Sequence, residues 1–419
     1  MLDIKFIREN AKQVKEAAKN KNIKVDIDEL LKLDEERREA RGKIDELRSQ
    51  RNELAQSAKN GKPSAEQIAK GKDLKEEIGK LEDGGDGIEE RFKEILSRVP
   101  NLCHPNSPIG KDDSENKEIE IIVKPAEFDF KHKDHVEIGE KLDILDFETA
   151  AKVSGSGFYY FKNGLVWLDL ALQRYALEKL ADRGFIPIAT PDLARSFTMD
   201  GTGYNPRGNE DQIYEIKGED IALIATAEIT LGGYLANRII KKEDLPIKYV
   251  GFSHCFRKEA GAYGKESRGL YRVHQFNKVE MFIFSTPEQS EDMHREMLAI
   301  EKEIYKEIGL PFRVLEICTG DLGAPAYRKY DLEAWMPMKN DWGEITSCSN
   351  CTDYQARRLN IKYKNKEGKL EYVHTLNGTA VNSSRIPLAI LENFQQADGS
   401  VKIPKALQKY MPGNMRVIK

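Results

Sequence analysis

Cysteine is scarce in this chain. Five among 419 residues is an odd and sparse set, which speaks against a fully paired disulfide framework and for reduced thiols in a cytosol. Long apolar runs are also missing. None approaches the ~20 residues of a membrane span, and the opening MLDIKFIREN is charged within its first three residues, unlike a signal peptide. The expected compartment is the cytoplasm, with no membrane partner. Net charge nearly cancels, with Lys+Arg 66 against Asp+Glu 70 for a formal −4. The overall field therefore attracts no polyanion, and any such partner needs a local basic patch. Two nucleotide signatures are absent as well. GAYGKES, Gly261 to Ser267, lacks the spacing of a phosphate-binding loop, and no G-x-G-x-x-G occurs. SGSGFYY, Ser154 to Tyr160, reads as a turn between strands, so phosphates must be held by side chains.

What is present divides into two regions. Residues 1 to 100 carry 23 Lys+Arg and 23 Asp+Glu, with apolar positions recurring in threes and fours. One series is Leu30, Leu33, Arg37, Ala40, Ile44, Leu47, Arg51, Leu54, Ala58. The other is Leu74, Ile78, Leu81, Gly85, Ile88, Phe92, Ile95, Val99. Each is a heptad seam. Gly61 and Pro63 interrupt the pattern between them, so the chain is expected to turn there and the helices, each roughly 40 Å long, to pair antiparallel. Such a hairpin, about 27 to 99, suits either a dimerising coiled coil or a nucleic-acid-binding arm. Arg37 and Arg51 on the seam are costly for pure dimerisation, although they can snorkel outward. Gly84, Gly85 and Gly87 fall inside the second helix without breaking its phase, so that helix is expected to persist but to be locally weak.

Residues 101 to 117, NLCHPNSPIGKDDSENK, read as a linker. From 118 to 419, strands such as YVGFSHCF, VEMFIF, KYDLEAWMP and GEITSCS stand among helical patterns without a βαβ repeat. The expected class is α+β, an antiparallel sheet with packed helices.

An anion site is expected in CFRKEAGAYGKESRGLYRVHQFNKVEMFIF, Cys255 to Phe284. Arg257 and Arg268 flank a Gly- and Lys-containing loop, and arginine's planar fork grips phosphate oxygens at two points. Glu259, two residues beyond Arg257, is expected on the same strand face, positioned to hydrogen-bond a base edge. Phe276 is placed to stack on the base. Glu280 is a carboxylate in an aromatic strand, costly unless a cation or hydroxyl meets it.

FRKE, RGLYRVHQFNKVEMF and NGTAVNSSRIPLAILENFQ, with TAE at Thr226 to Glu228 and EITSCSNC, resemble class II aminoacyl-tRNA synthetases, specifically the seryl-tRNA synthetase family. LALQRYALEKLADRGF with the strand ending at Pro191 resembles its first motif. The resemblance covers essentially the whole chain and makes the hairpin a tRNA-binding arm. It implies ATP-dependent activation of L-serine to seryl-adenylate and transfer to tRNA(Ser), with tRNA(Sec) served where it exists, by a homodimer. Arg257 then meets the α-phosphate and the serine side of the reaction, while Arg268 and Arg385 hold the γ-phosphate. Lys258, Glu259, Val273 and Phe276 border ATP together with Glu344, Ile345, Thr346 and Ser347, and Glu344 binds Mg2+ with the nucleotide. Thr226, Ala227, Glu228, Glu280, Asn377 and Thr379 match the serine pocket, and Ser383 is a weaker candidate for it.

The pair CSNC, Cys348 to Cys351, has no second paired spacing to complete a zinc site and is read as structural, as are His254, His274 and His374. Gly157 departs from the resemblance, where a basic residue is common. Two rival functions remain: a ligase that loads a carrier other than tRNA, and a pseudo-synthetase without catalysis. The arm speaks against the first, and the presence of Arg257, Glu280 and Arg385 speaks against the second.

Overall fold

The computed structural model describes residues 1–57, 64–125, 127–204, 212–259 and 269–419. Ala58, Gly61, Pro63, the Gly261 to Ser267 loop and Arg268 lie outside the described residues. The chain forms two compact units, Met1–Leu102 and Cys103–Lys419.

The first unit begins with two short helices, α1 (Ile4–Glu9) and α2 (Ala11–Asn20), followed by the long helices α3 (Ile27–Ser57) and α4 (Ala65–Arg98). Ser64 starts α4 through a capping box, its hydroxyl accepting from the Gln67 N–H while the Gln67 side chain accepts from its own N–H. The heptad seam is the contact surface. Leu47, Leu74 and Ile78 are buried together, and Leu30, Phe92, Ile95 and Val99 join Leu2, Ile7 and Val14 in a cluster at the base. Arg37 is accommodated on the seam by three partners: its guanidinium lies 3.7 Å from the Phe92 ring centroid, binds Glu89 at 2.6 Å and lies 3.7 Å from Asp34 Oδ1. Arg51 is exposed. The α4 helix runs unbroken through Gly84, Gly85 and Gly87.

The second unit is built on an eight-stranded sheet. In chain order its strands are β1 (Lys117–Val123), β2 (Ile186–Ala189), β3 (Ile247–Phe256), β4 (Gln275–Ser285), β5 (Phe312–Glu316), β6 (Arg328–Met336), β7 (Asp341–Asn350) and β8 (His374–Asn382), arranged β1-β5-β6-β7-β8-β4-β3-β2. Every neighbouring pair is antiparallel except β2 with β3. Helices α5 (Asn163–Ala181) and α7 (Ser290–Ile308) supply Leu168, Leu172, Met297, Ile300 and Ile304 to the core on one face.

Strand parity separates the two faces. On β4, Val279, Met281 and Ile283 enter that core, so the intervening Lys278 and Glu280 point the other way. On β8, Leu376 and Ala380 enter the core and a Cβ on Gly378 would lie 2.9 Å from Met297, which turns Asn377 and Thr379 toward the same face as Glu280. Thr379 pairs directly with Glu280 across the two strands. Helix α6 (Ala227–Tyr234) covers β3 closely: a Cβ on Gly251 would lie 2.8 Å from Leu231 and 2.9 Å from Ala227. Glycine there lets the N-terminus of α6 come up beside Glu280.

Two local expectations need correction. Residues 103–116 are no free tether, since His104 N–H donates to Tyr327 O at 2.9 Å and Thr319 N–H to Pro108 O at 2.8 Å. The SGSGFYY turn joins a helix, Phe147–Ser154, to a two-residue strand, with Gly155 at φ +99. Within it, a Cβ on Gly157 would lie 2.5 Å from His274, so the backbone passes too close to the imidazole for a side chain.

Candidate active site

On the sheet face opposite α5 and α7 lies a cleft of about 290 Å³, bordered by four cations, Arg257, Arg272, Lys278 and Arg385, and four carboxylates, Glu228, Glu259, Glu280 and Glu344. Its deepest part is a cluster of buried polar groups. Lys278 and Glu280 are i, i+2 neighbours on β4, and Nζ meets Oε1 at 2.7 Å with both residues buried. The other Glu280 oxygen accepts from the Thr226 hydroxyl and, at 3.0 Å, from the Glu228 N–H. Lys278 and Thr226 thus supply the cation and the hydroxyl that Glu280 needs, and with three donors on about four acceptor sites the carboxylate, which borders the cleft, keeps room for a further donor.

Glu228 opens α6, and its carboxylate receives Gln355 Nε2 at 2.6 Å and Asn377 Nδ2 at 3.0 Å on one oxygen and the Tyr204 hydroxyl at 3.2 Å on the other. Burial first, and then the nearby Glu280 charge, push the Glu228 carboxyl up to about 7. The buried amide of Gln355, on helix α8 (Tyr354–Leu359), is itself held by the Thr375 hydroxyl at 2.7 Å. Lys278, Tyr204 and Gln355 were not singled out from the sequence. For Lys278 a signal existed, its same-face spacing from Glu280; Tyr204 and Gln355 arrive from segments far apart in the chain and carry no local mark.

The wider part of the cleft is walled by aromatic and cationic groups. Arg257 lies just past the end of β3, its guanidinium 5.3 Å from the Phe276 ring centroid and its Nε 3.4 Å from Ala225 O. Val273 and Phe276 are buried beside it. Glu259 reaches the same cleft for a reason other than strand parity, because β3 stops at Phe256 and Glu259 has φ +49. Arg272 holds its carboxylate at 2.9 Å. Across the cleft, Arg385 starts helix α9 (Arg385–Asn393), with its N–H on Asn382 Oδ1 at 2.9 Å. Its guanidinium sits 4.7 Å from the Tyr271 ring centroid and binds Glu344 Oε2 at 3.0 Å. Burial alone would raise the Glu344 carboxyl; Arg385 and then Lys329 outweigh it and hold the group below its ordinary value.

A bulge shapes the EITS run. Thr346 pairs with Leu332 and Glu344 with Glu333, leaving Ile345 as the extra residue. Ile345 enters the core and the Thr346 hydroxyl turns to Glu301 on α7 at 3.2 Å, so these two border the cleft through their backbone. Among the other expected residues, Glu228, Asn377, Thr379 and Ser347 line the cleft. The buried Ala227 side chain packs into the cluster under β3, Lys258 donates its N–H to Gln212 O at 3.0 Å, and the Ser383 hydroxyl accepts from Asn277 N–H at 2.6 Å behind Phe276. Cys351 lines the cleft, its sulfur 3.7 Å from Asn377 Nδ2, whereas Cys348 is buried on the α7 side with its thiol pushed far up by burial.

A largely antiparallel sheet whose open face carries a cleft set with arginines defines a class II aminoacyl-tRNA synthetase core, and residues 213–394 match the model of the tRNA synthetase class II core domain of the G, H, P, S and T types. Residues 1–103 match that of the seryl-tRNA synthetase N-terminal domain. Proteins named serine–tRNA ligase from Treponema denticola and Rubrobacter xylanophilus are 52% identical over 415 residues and 50% identical over 414, each comparison covering 98% of both chains. The chain belongs to the seryl-tRNA synthetase family. A solved structure of seryl-tRNA synthetase from Pyrococcus horikoshii complexed with ATP superimposes with a TM-score of 0.92 at 42% identity, covering 100% of this chain and 99% of that one. The cytoplasmic serine-tRNA ligase from Naegleria fowleri in complex with AMP gives 0.87 at 33%, with the same coverage.

Proposed function

We propose that this chain activates L-serine with ATP and transfers the seryl group to tRNA(Ser), and to tRNA(Sec) in a cell that makes it. The observation that carries the reading is the union of two chemistries in one cleft: the polar groups Glu228, Glu280 and Thr379 share it with the Arg257–Phe276–Arg385 walls.

In the first step a serine carboxylate oxygen attacks the α-phosphorus, a C–O–P linkage forms, and the α–β phosphoanhydride breaks to release diphosphate. Arg257 faces the growing charge on the α-phosphoryl oxygens, where a fixed cation lowers the barrier. Arg385 and Arg272 hold the outer phosphates, a task also assigned to Arg268, and Phe276 stacks on adenine with Glu259 at its edge. In the pocket, Glu228 and Glu280 meet the ammonium while Thr379 and Asn377 read the hydroxyl. In the second step a tRNA terminal ribose hydroxyl attacks the acyl carbon and AMP leaves. The α3–α4 hairpin grips the tRNA.

Mg2+ fits the donor set. Among the described residues no group of three His, Cys, Asp or Glu could hold a metal unaided, so Glu344 and the Ser347 hydroxyl would hold the ion with the help of the nucleotide, as a cation that takes hard oxygen ligands allows. It would supply charge neutralisation on the phosphates.

A homodimer is supported by an unpartnered apolar stripe, since Val166, Trp167 and Leu170 on α5 and Ile186 on the edge strand β2 are exposed. No described helix is long and apolar enough to cross a membrane, and all five cysteines are free, in keeping with the cytoplasm.

Diphosphate exchange with serine, threonine, alanine and glycine tests the reading. Serine should support exchange, and alanine should fall short by on the order of 10⁴-fold because the hydroxyl's partners are left unpaired. Removing residues 41–84 and closing the hairpin with a short turn should leave exchange near normal while charging falls by roughly 10³-fold or more. Absence of serine-dependent exchange would overturn the enzyme reading, and exchange by the intact chain without tRNA charging would favour the ligase.

A further inference from the structure

His135 lies outside the cleft and opens the short helix His135–Lys141, pinned there by a capping box in which Asp134 accepts from the Glu137 N–H at 2.7 Å. The imidazole is buried and contacts two other segments. Its Nε2 is 3.1 Å from the Leu270 nitrogen, and its Nδ1 is 2.8 Å from Glu392 Oε1. A backbone N–H can only donate, so Nε2 must be the acceptor; a neutral imidazole then carries its proton on Nδ1 and gives it to Glu392. The ring is fixed as one tautomer.

The rest of the contact set points the same way. Glu392 Oε1 also accepts from the His135 N–H at 3.2 Å, and Oε2 accepts from the Met338 N–H at 3.3 Å. Gly269 has φ +88, and a Cβ there would lie 2.0 Å from Nε2. Only glycine lets the backbone meet the ring at this distance. Leu270 is fully buried and Glu392 nearly so, so each polar contact has been made at a cost in desolvation that an apolar contact would not carry.

The two segments joined through the ring are those that carry the cleft arginines. Glu392 lies seven residues after Arg385 on α9, two helical turns along the same face. Tyr271 follows Leu270; its carbonyl accepts from Arg385 Nε at 3.2 Å, and its ring stacks under that guanidinium. Arg272 comes next, with Glu259.

We propose that His135, oriented by Glu392, is a positioning residue for ATP: it sets the Leu270–Arg272 backbone against α9 and so fixes the separation of Arg272 and Arg385. This rests on the reading of those arginines as holders of the nucleotide. Substitutions that keep one contact each can test it. His135→Gln places an acceptor near the Nε2 position for the Leu270 N–H. His135→Asn keeps a donor near Nδ1 for Glu392 but leaves Leu270 unmet, and His135→Ala removes both.

In serine-dependent diphosphate exchange, His135→Asn and His135→Ala should raise the KM for ATP by about tenfold, the worth of one buried hydrogen bond, with the KM for serine little changed. His135→Gln should return the KM for ATP to within about threefold of the parent. Thermal melts on all three provide the control. Equal KM for ATP across the three, or changes that track lost Tm with no preference for ATP over serine, would overturn the proposal. Arg385→Ala separates the two levels. A large rise in its KM for ATP beside unchanged His135 variants overturns the clamp alone, whereas an unchanged KM for ATP in Arg385→Ala overturns the nucleotide reading and the clamp with it.

Discussion

In the arm, Arg48 meets Glu82 at 2.7 Å with 49% and 47% of the two side chains exposed. In the cleft, Lys278 meets Glu280 at the same 2.7 Å with 8% and 2% exposed. Water accounts for the difference between these otherwise equal bonds. The arm pair trades one hydrated arrangement for another and contributes little. The cleft pair has lost its hydration, and each partner now depends on the other. The arm can therefore vary its charges freely, whereas the cleft holds its charges in one arrangement.

Breaking each pair from its cationic side should give the largest contrast. Lys278→Met leaves Glu280 buried with only the Thr226 hydroxyl and the Glu228 N–H, and should destabilise the catalytic unit by about 3–5 kcal/mol. Arg48→Met should cost under ~1 kcal/mol. Urea titration followed by tryptophan fluorescence isolates the first effect, because Trp167, Trp335 and Trp342 all belong to the catalytic unit. Hydrogen exchange along α3 and α4 reports the second. Similar losses for both would show that burial is not what separates the two regions.

Titration should sharpen the contrast. Glu228 has a folded pKa of about 7, raised by burial and then by Glu280, above the ordinary carboxyl value of 4.5. The folded state thus holds a proton that the unfolded chain has released, and stability falls as pH rises through that window. Glu228→Gln should remove the fall, making the variant more stable than the parent at pH 8 by about 1–3 kcal/mol while impairing serine activation. The arm shows the opposite sign. For Glu89, burial works upward but hydrogen bonds from Arg37 and Lys93 prevail and lower the pKa. Its contribution is present above the ordinary carboxyl value and is lost as pH falls through the folded one. Melts of Glu228→Gln at pH 5 and pH 8, and of Glu89→Gln at pH 6 and at about pH 3, test both signs, and a Glu228→Gln difference that does not vary with pH would contradict the first.

The same division governs what can be read from the chain. The arm was legible because a heptad seam is a local repeat: Leu30, Leu47, Leu74, Ile78, Phe92 and Ile95 occupy the buried positions their spacing implied. Strand segments were legible by their apolar content, and the family resemblance identified Arg257, Glu280 and Arg385, all of which border one cleft. Pairing partners were not legible. Nothing near Glu228 in the sequence announces Tyr204 or Gln355, since their meeting depends on how α6 docks against β3 and β8. The bulge at Ile345 reverses the parity of EITS, and Glu259 enters the cleft from a left-handed residue beyond a strand end. Each of these is set by long-range packing, which period and propensity do not encode.

The glycines of α4 give the smallest expected effect and the closest test of the arm as a locally determined structure. Gly84, Gly85 and Gly87 lie within a continuous helix, and a Cβ on any of them would meet no atom within 4 Å. Packing therefore does not require glycine at these positions, and each carries a backbone-entropy cost of about 0.5–1 kcal/mol against alanine. Single alanine substitutions should each stabilise the arm by that amount, and the triple variant should slow amide exchange through residues 80–90 the most. Because a Cβ at these sites meets nothing beyond the helix itself, each gain comes from the backbone. Loss of stability on any single substitution would mean that the helix needs something from glycine beyond its own geometry. A gain in stability accompanied by slower tRNA charging, with diphosphate exchange unchanged, would mean that this weak stretch bends when the arm takes up its RNA.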